Sequence, residues 1–456
     1  MLLPPKPLST QHRAGLITNI AKRLQAKALH FVRWATWLVL SCGLLCSPWQ
    51  GIAAQEPFQW WKGNLHAHTL WSDGDEFPEA VVAWYKSRGY HFLALTDHNI
   101  LQQGARWLNI ASPALEETFQ RHLHRFGPSG VDQRIRQGQL QVRLRTWSEL
   151  CALFQERGRF LLLPGEEITD ACPEGTLRIP VHLNGINLRQ LIRPAGGRTV
   201  LEVLQRNIDA VRAQRQRTGQ LMLAHIAHPN FGWAVRAEDL MVIKGAPLFE
   251  VYNGHPVVHN KGDTLHPSTE RLWDIALTFR LAKLRLGPVF GLAVDDAHHY
   301  SSFSPTNANP GRGWIAVRAT RLAPASVLQA LESGDFYAST GVRLRDIQRS
   351  TNQLTIVIEP EPDVSYLTQF IGTRRQFDAS SLPALTSPTQ SRPASRRYSA
   401  DIGMVLAEVR GPVATYAFRG DELYVRAKVI SSKPKANGLS EAETEVAWVQ
   451  PVVLEP

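Results

Sequence analysis

GNLHAHTLWSDG, Gly63 to Gly74, sets His66 and His68 one residue apart at the end of a short apolar run, with Ser72, Asp73 and a turn glycine directly after. In an extended chain alternate side chains point the same way, so this spacing directs both imidazoles to one side of a strand end. Four other apolar runs stop in the same kind of chemistry. FLALTDHN ends in Thr96, Asp97 and His98; FLLLPGEEIT in Glu166 and Glu167; LMLAHIAHPN in His225 and His228; and VFGLAVDDAHHY in Asp295, Asp296, His298 and His299. FEVYNG places Glu250 on a further strand.

Between these runs lie segments such as PEAVVAWYKSRG and VLEVLQRNIDAVRAQR, whose apolar residues recur at helical spacing. From about residue 58 to 340 the alternation of strand and helix predicts an α/β domain with parallel strands, and in barrels of that class the carboxyl ends of the strands converge on one face. After Gly341 the character changes to short β-rich segments, QLTIVIEP, YLTQFIG, DIGMVLAEV and DELYVRAKVI, which predict a small β-sandwich-like domain over 341–456. A Ser/Pro-rich stretch at about 380–397, SSLPALTSPTQSRPASRR, reads as a disordered loop.

The formal charge of +10 over 456 residues suggests a polyanion partner until it is placed along the chain. Residues 1–54 hold Lys6, Arg13, Lys22, Arg23, Lys27 and Arg33 and no acidic residue, which leaves 44 basic against 40 acidic residues for the body. That balance gives no footprint for long nucleic acid. The basic stretch runs into WATWLVLSCGLLCS, Trp34 to Ser47, and then small residues to Ala54, the pattern of an export signal or N-terminal membrane anchor. The run has 14 residues, short of the ~20 that span a bilayer as a helix. Export to the periplasm or exterior is therefore expected, with membrane association only through this segment. Cleavage there removes Cys42 and Cys46 and leaves Cys151 and Cys172, enough for at most one disulfide and no metal knuckle.

With 16 histidines in the chain, a His-x-His triplet arises by accident roughly half a time, so the motif needs context. His122-Leu123-His124 is the internal control. It sits in a polar, helical stretch with no strand before it and reads as surface. His66 and His68 differ because four further strand ends also present His, Asp or Glu. Such a set suits zinc, manganese or iron, and several such groups can hold two or three ions close together.

The ordered series HAH with SDG, TDH, G-x-E, the lone histidine of VHLNG, AHP and the late D-x-H resembles the PHP family, named for polymerase and histidinol phosphatase, over roughly residues 60–318. The resemblance implies a distorted seven-stranded β/α barrel whose two or three divalent metal ions activate water to hydrolyse phosphate esters. Carried over, the ligands are His66, His68, Asp73, His98, Glu167, His182, His228, Asp296 and His298, with Glu167 bridging two ions and His228 or His298 as proton donor to the leaving group. AVVAWYKSRGY, FEVYNGHP, GLAVDDAHHY, NPGRGW and GDFYASTGV are similar to the CehA/McbA-type branch, which includes carbamate and amide hydrolases. Asp97, Glu250 and Asp295 are candidates to accept the other ring N–H of ligand imidazoles. Arg312, in NPGRGW, is a candidate clamp for an anionic substrate. The expected substrate is a small molecule, phosphorylated: a nucleotide, a nucleic-acid end or an organic phosphate. A carbamate, amide or ester hydrolase on the same centre, and a metal-stabilised module without activity, remain open alternatives.

Overall fold

Burial on both faces makes strands of the apolar runs: Phe92–Leu95 and Phe290–Val294 are buried at every position. The computed structural model describes residues 57–384 and 396–454. The export segment, 1–54, lies outside the described residues. So does most of the Ser/Pro-rich loop, although its flanks Ser381–Pro383 and Arg396–Tyr398 pair as an antiparallel ladder instead of lying disordered. Among the described residues no helix is long and apolar enough to cross a membrane.

Thirteen strands form one mixed sheet. In chain order they are β1 Gln59–Asn64, β2 Phe92–Leu95, β3 Leu161–Glu174, β4 Leu177–Ile186, β5 Leu223–Ile226, β6 Leu248–Asn253, β7 Phe290–Val294, β8 Trp314–Ala319, β9 Phe336–Ser339, β10 Tyr366–Arg374, β11 Met404–Arg410, β12 Glu422–Pro434 and β13 Thr444–Val453. Their spatial order is β7-β6-β5-β4-β3-β2-β1-β8-β9-β13-β12-β10-β11.

Three expectations change here. The first is strand direction. β1, β2 and β3 run parallel, as do β5, β6 and β7, but β4 runs antiparallel to both of its neighbours. The run FLLLPGEEIT does not end at Glu167 either. β3 continues to Glu174, turns through Gly175 at φ +63°, and returns as β4.

The second is closure: among the described residues no sheet closes on itself. The segments beyond β1 and β7 meet at only one bridge, Ala67 to Ala297, through His68 N–H to Ala297 O at 3.0 Å and Asp296 N–H to His66 O at 3.0 Å. Farther back, the free edge of β7 is satisfied by a side chain, with the Gln450 amide bonding both Gly291 N and Gly291 O. An amide that takes both backbone groups leaves no ladder for another strand to form there.

The third is the tail. β9 pairs with β13, so the C-terminal strands extend the main sheet, and 57 to the C-terminus forms one compact unit. A separate three-stranded sheet, Leu344–Arg349, Gln353–Ile358 and Val413–Ala417, packs on that extension through a core including Ile347, Leu354, Ile356, Phe370, Val425 and Ala427.

The expected helices form at Pro78–Ser87 and Val200–Thr218. The first opens with proline at its first turn, where no N–H is needed, and buries Val81, Val82 and Tyr85. The second begins at Thr199, whose side chain accepts from Glu202 N–H, and ends at Gly219 in the left-handed conformation. Between β2 and β3 the chain inserts helix Pro113–Phe126 and a three-stranded sheet, which share a small core with Leu70, Trp71 and Phe77.

Candidate metal centre

His66 and His68 follow β1 in extended chain, and Ala67 between them bridges to Ala297. Both imidazoles therefore leave on the same side, with ring centroids 5.2 Å apart. Gly74 is required by the turn that follows, because a Cβ there would stand 2.7 Å from the carbonyl carbon of His68.

Glu167 is the hub. Its Oε2 lies 3.4 Å from His66 Nε2, 3.4 Å from His68 Nε2 and 2.9 Å from His98 Nδ1. Its Oε1 lies 2.9 Å from His182 Nδ1 and 3.0 Å from His228 Nε2. Asp296, in a left-handed turn at φ +51° that aspartate tolerates, places Oδ1 3.2 Å from His66 Nε2 and 3.1 Å from His68 Nε2. Asp73 sits half-exposed at the mouth, 3.4 Å from His68 Nδ1, His98 Nε2 and His298 Nε2. All nine residues expected as ligands are thus gathered around one centre.

His66 Nε2, His68 Nε2 and Glu167 Oε2 are buried without a hydrogen-bond partner. Buried polar atoms are costly unless something satisfies them. Ligand atoms at ~2.1 Å around a tetrahedral cation stand ~3.4 Å from one another, the spacing seen here. Overlapping groups that could hold an ion are, among the described residues, His66, His68 and Asp296; His66, Glu167 and His228; His66, His225 and Glu250; His98, Glu167 and His182; and His68, Asp73, His98 and His298. The donor set fits divalent metal ions.

The electrostatics agree. Burial disfavours the charged forms, yet the surrounding imidazoles hold the Glu167 and Asp296 carboxyls well below the usual range. Burial likewise pulls His66 down, but Asp296, Glu250 and Glu167 raise it well above an ordinary histidine. Against burial, Glu167 and Asp73 lift His98 to about 10. The protons that these carboxylates favour on the imidazoles occupy nitrogen lone pairs for which a cation competes.

The outer residues divide. Glu250 contacts an expected ligand: its Oε1 lies 2.7 Å from His66 Nδ1, while Oε2 accepts His228 N–H at 2.7 Å. Asp97 meets no ligand imidazole directly. It accepts Thr69 N–H, Ser72 Oγ–H and Gln102 Nε2–H, and so holds the turn after His68, whose Nδ1 lies 3.3 Å from Ser72 Oγ. Asp295 is a correction, because it is a loop anchor, accepting from Tyr85 O–H and from the N–H groups of Arg312 and Gly313. Arg312 is another. Its guanidinium is fully buried and donates to the carbonyls of Gly254, Ser304, Asn307 and Asn437, which leaves no fork for a substrate. His122 is a third: it is buried, not surface, and stacks on Phe77 at 4.1 Å.

Several contributors escaped the sequence reading. Asn253 donates to both Glu250 and Asp296, at 2.8 and 3.1 Å. His225, named at its strand end but given no role there, places Nε2 3.1 Å from Glu250. His255, Phe231 and Val258 line, with the cluster, a recess of about 150 Å³. A histidine two residues past the end of β6 was the available signal for His255.

No family model and no curated protein matches the chain. Among solved structures, a two-domain protein from Bacteroides vulgatus ATCC 8482, described as containing a predicted PHP-like metal-dependent phosphoesterase, aligns over 86% of this chain and 95% of its own, with 14% identity and a TM-score of 0.36. A protein from Bifidobacterium adolescentis ATCC 15703, named as a metal-dependent phosphoesterase, aligns over 52% of this chain and 87% of its own, with 15% identity and a TM-score of 0.27. Similarity at that level establishes neither a shared fold nor a shared activity; the chemistry of the site follows from this chain's own donor atoms.

Proposed function

We propose that the chain is a metal-dependent hydrolase with a di- or trinuclear centre, acting on phosphate esters of small molecules. The observation that carries this reading is the convergence of His66 Nε2 and His68 Nε2, buried without partners, on both Asp296 Oδ1 and Glu167 Oε2. Bound divalent cations supply an acidified water and neutralise charge developing on the substrate oxygen. His66, His68 and Asp296 present lone pairs to one position, and Glu167 turns Oε2 toward His66, His68 and His98 and Oε1 toward His182 and His228. Glu250 keeps His66 oriented. His298, beside Asp73 and partly open to the recess, is placed to pass a proton to the leaving group; His228 lies deeper, its Nε2 directed at Glu167.

One observation favours a second reading. Among the described residues no lysine or arginine lines the recess, while Phe231 and Val258 do. A neutral carbamate, amide or carboxylic ester needs no cationic side chain, whereas a phosphate here relies on the ions and imidazoles alone. The test is turnover of phosphomonoester, phosphodiester, carbamate and amide panels by chelator-treated protein before and after adding manganese, zinc or iron. Metal-restored phosphate release supports the first reading, and metal-restored acyl cleavage alone supports the second. Undiminished turnover after exhaustive chelation overturns both.

Export rests on residues 1–54 alone and is proposed on that basis. A mature N-terminus near Gln55 in an exported fraction is the expected result. An intact Met1 in the cytoplasm contradicts it.

A further inference from the structure

We propose that a second cavity, lined in part by Val251 and Tyr252 of β6, binds a small carboxylate or phosphate anion on Lys435. The cavity holds about 350 Å³ between the α/β part and the C-terminal strands, and Lys261, Lys428, Lys435, Tyr252, Ser268 and Thr269 are among its walls.

Lys435 is the reason to read it as a site. Its side chain is 4% exposed, and burying an ammonium is expensive unless its donors are satisfied. One N–H is donated to the Tyr252 hydroxyl, and the ammonium lies 4.2 Å from the centre of that ring. An ammonium has three donors. The other two find no hydrogen-bond partner among the described residues, since the Glu443 carboxylate stands 3.9 Å away, too far to accept one.

The two carboxylates in the wall are engaged elsewhere. Glu270 is 2.6 Å from Lys428 and 3.7 Å from Arg426. Glu443 accepts Leu439 N–H at 3.0 Å and faces Lys261 at 3.5 Å. Cations therefore exceed anions by the charge of Lys435. Burial pushes its pKa down to about 7 despite the Glu443 and Asp295 carboxylates, which raise it, with Arg312 and Lys261 adding to the lowering. Ser268 and Thr269 open helix Thr269–Phe279, and the N-terminus of that helix adds favourable potential for an anion. A single anionic oxygen pair would satisfy both spare donors by charge-assisted hydrogen bonds.

The cavity also touches the metal centre's scaffold without sharing a ligand. Asn260, in its wall, bonds Asn253 through both backbone groups, and the Asn253 side chain holds Glu250 and Asp296.

Calorimetric titration of inorganic phosphate, and separately of succinate, into chelator-treated full-length protein tests the assignment. At least one anion is expected to bind once per chain, Lys435→Met to weaken it about tenfold or more, and Glu167→Gln to leave it unchanged. Phosphate alone identifies a phosphoryl ligand and succinate alone a carboxylate. Lys261→Gln, at the exposed rim, is the milder variant and is expected to weaken binding roughly threefold. No binding of either anion at ~10 mM, or binding that survives Lys435→Met, overturns the assignment. Should Lys435→Met fail to fold, unchanged affinity in Lys261→Gln overturns it. Because no metal is present, none of these results depends on the hydrolase reading.

Discussion

His66-Ala67-His68 and His122-Leu123-His124 are one three-residue pattern on two kinds of backbone. In the extended segment after β1 the two rings project together, and both Nε2 atoms reach Glu167 and Asp296. On helix Pro113–Phe126, residues two apart stand ~200° around the axis, so His122 is buried and His124 exposed. Burial alone does not separate the two sites, since His122 is 3% exposed. The facing carboxylates do. Three of them raise His66 well above an ordinary histidine against its burial, whereas burial pushes His122 down to about 4 and pushes Glu79, 3.7 Å from it, up to about 7. The helical pair approaches a neutral contact, while the strand-end pair has a concentration of anionic oxygen that calls for cations. A spacing acquires chemical meaning only through the period of the backbone that carries it and the groups opposite.

That contrast can be broken or sharpened by four substitutions, taken in order of expected effect on turnover. Glu167→Gln removes the one carboxylate that faces five imidazoles, and is expected to lose an ion and on the order of a hundredfold or more in kcat. Steady-state kinetics beside metal analysis checks it; near-normal turnover would show that the hub lies elsewhere. Glu250→Gln leaves His66 in place but loosens its ring, with roughly a 10- to 100-fold loss of metal affinity expected in a chelator competition.

Glu166→Gln changes the residue beside the hub. Glu166 faces away, and its Oε1 accepts Ile192 N–H at 2.7 Å, so kcat should fall by ~10-fold at most. Its carboxyl is pushed up to about 8 by burial from an ordinary value of 4.5. Between those two pH values the folded chain holds a proton that the unfolded chain has released, so this residue's contribution to stability declines as pH rises from about 4.5 to about 8. Denaturant titrations should show Glu166→Gln gaining a few kcal/mol on the wild type across that window; a constant difference would contradict the assignment. His122→Ala should leave metal content and rate untouched and cost ~1–3 kcal/mol of stability, through the cavity left against Phe77. Loss of metal in this variant would erase the contrast between the two triplets.

The site was more legible than the sheet that carries it. Strand ends announce themselves where an apolar run stops at His, Asp or Glu, and two-residue alternation separates Glu166 from Glu167 once Gly165 sets the count. Strand direction leaves no such trace. β4 reads like any other apolar run, and only the turn at Gly175 reveals that it folds back. The continuation of the sheet through β9 and β13 joins Tyr337 to Val449, a pairing that no local pattern encodes. Asp295 and Asp296 are adjacent and chemically alike, and their roles separate only when the N–H groups of Arg312 and Gly313 arrive from another loop. Arg312 was misread for the same reason, since two of the four carbonyls that hold it, those of Gly254 and Asn437, come from distant stretches of chain.

Metal stoichiometry tests the central claim most directly: that the oxygens of Glu167 and Asp296 and the imidazoles around them hold divalent cations. Elemental analysis should be made on wild type and Glu167→Gln, each equilibrated with manganese, zinc or iron and then freed of loosely held ions. At least two ions per chain in the wild type and fewer in Glu167→Gln is the predicted result. A wild-type chain that retains none of the three metals, or a Glu167→Gln chain that retains as many as the wild type, would contradict it.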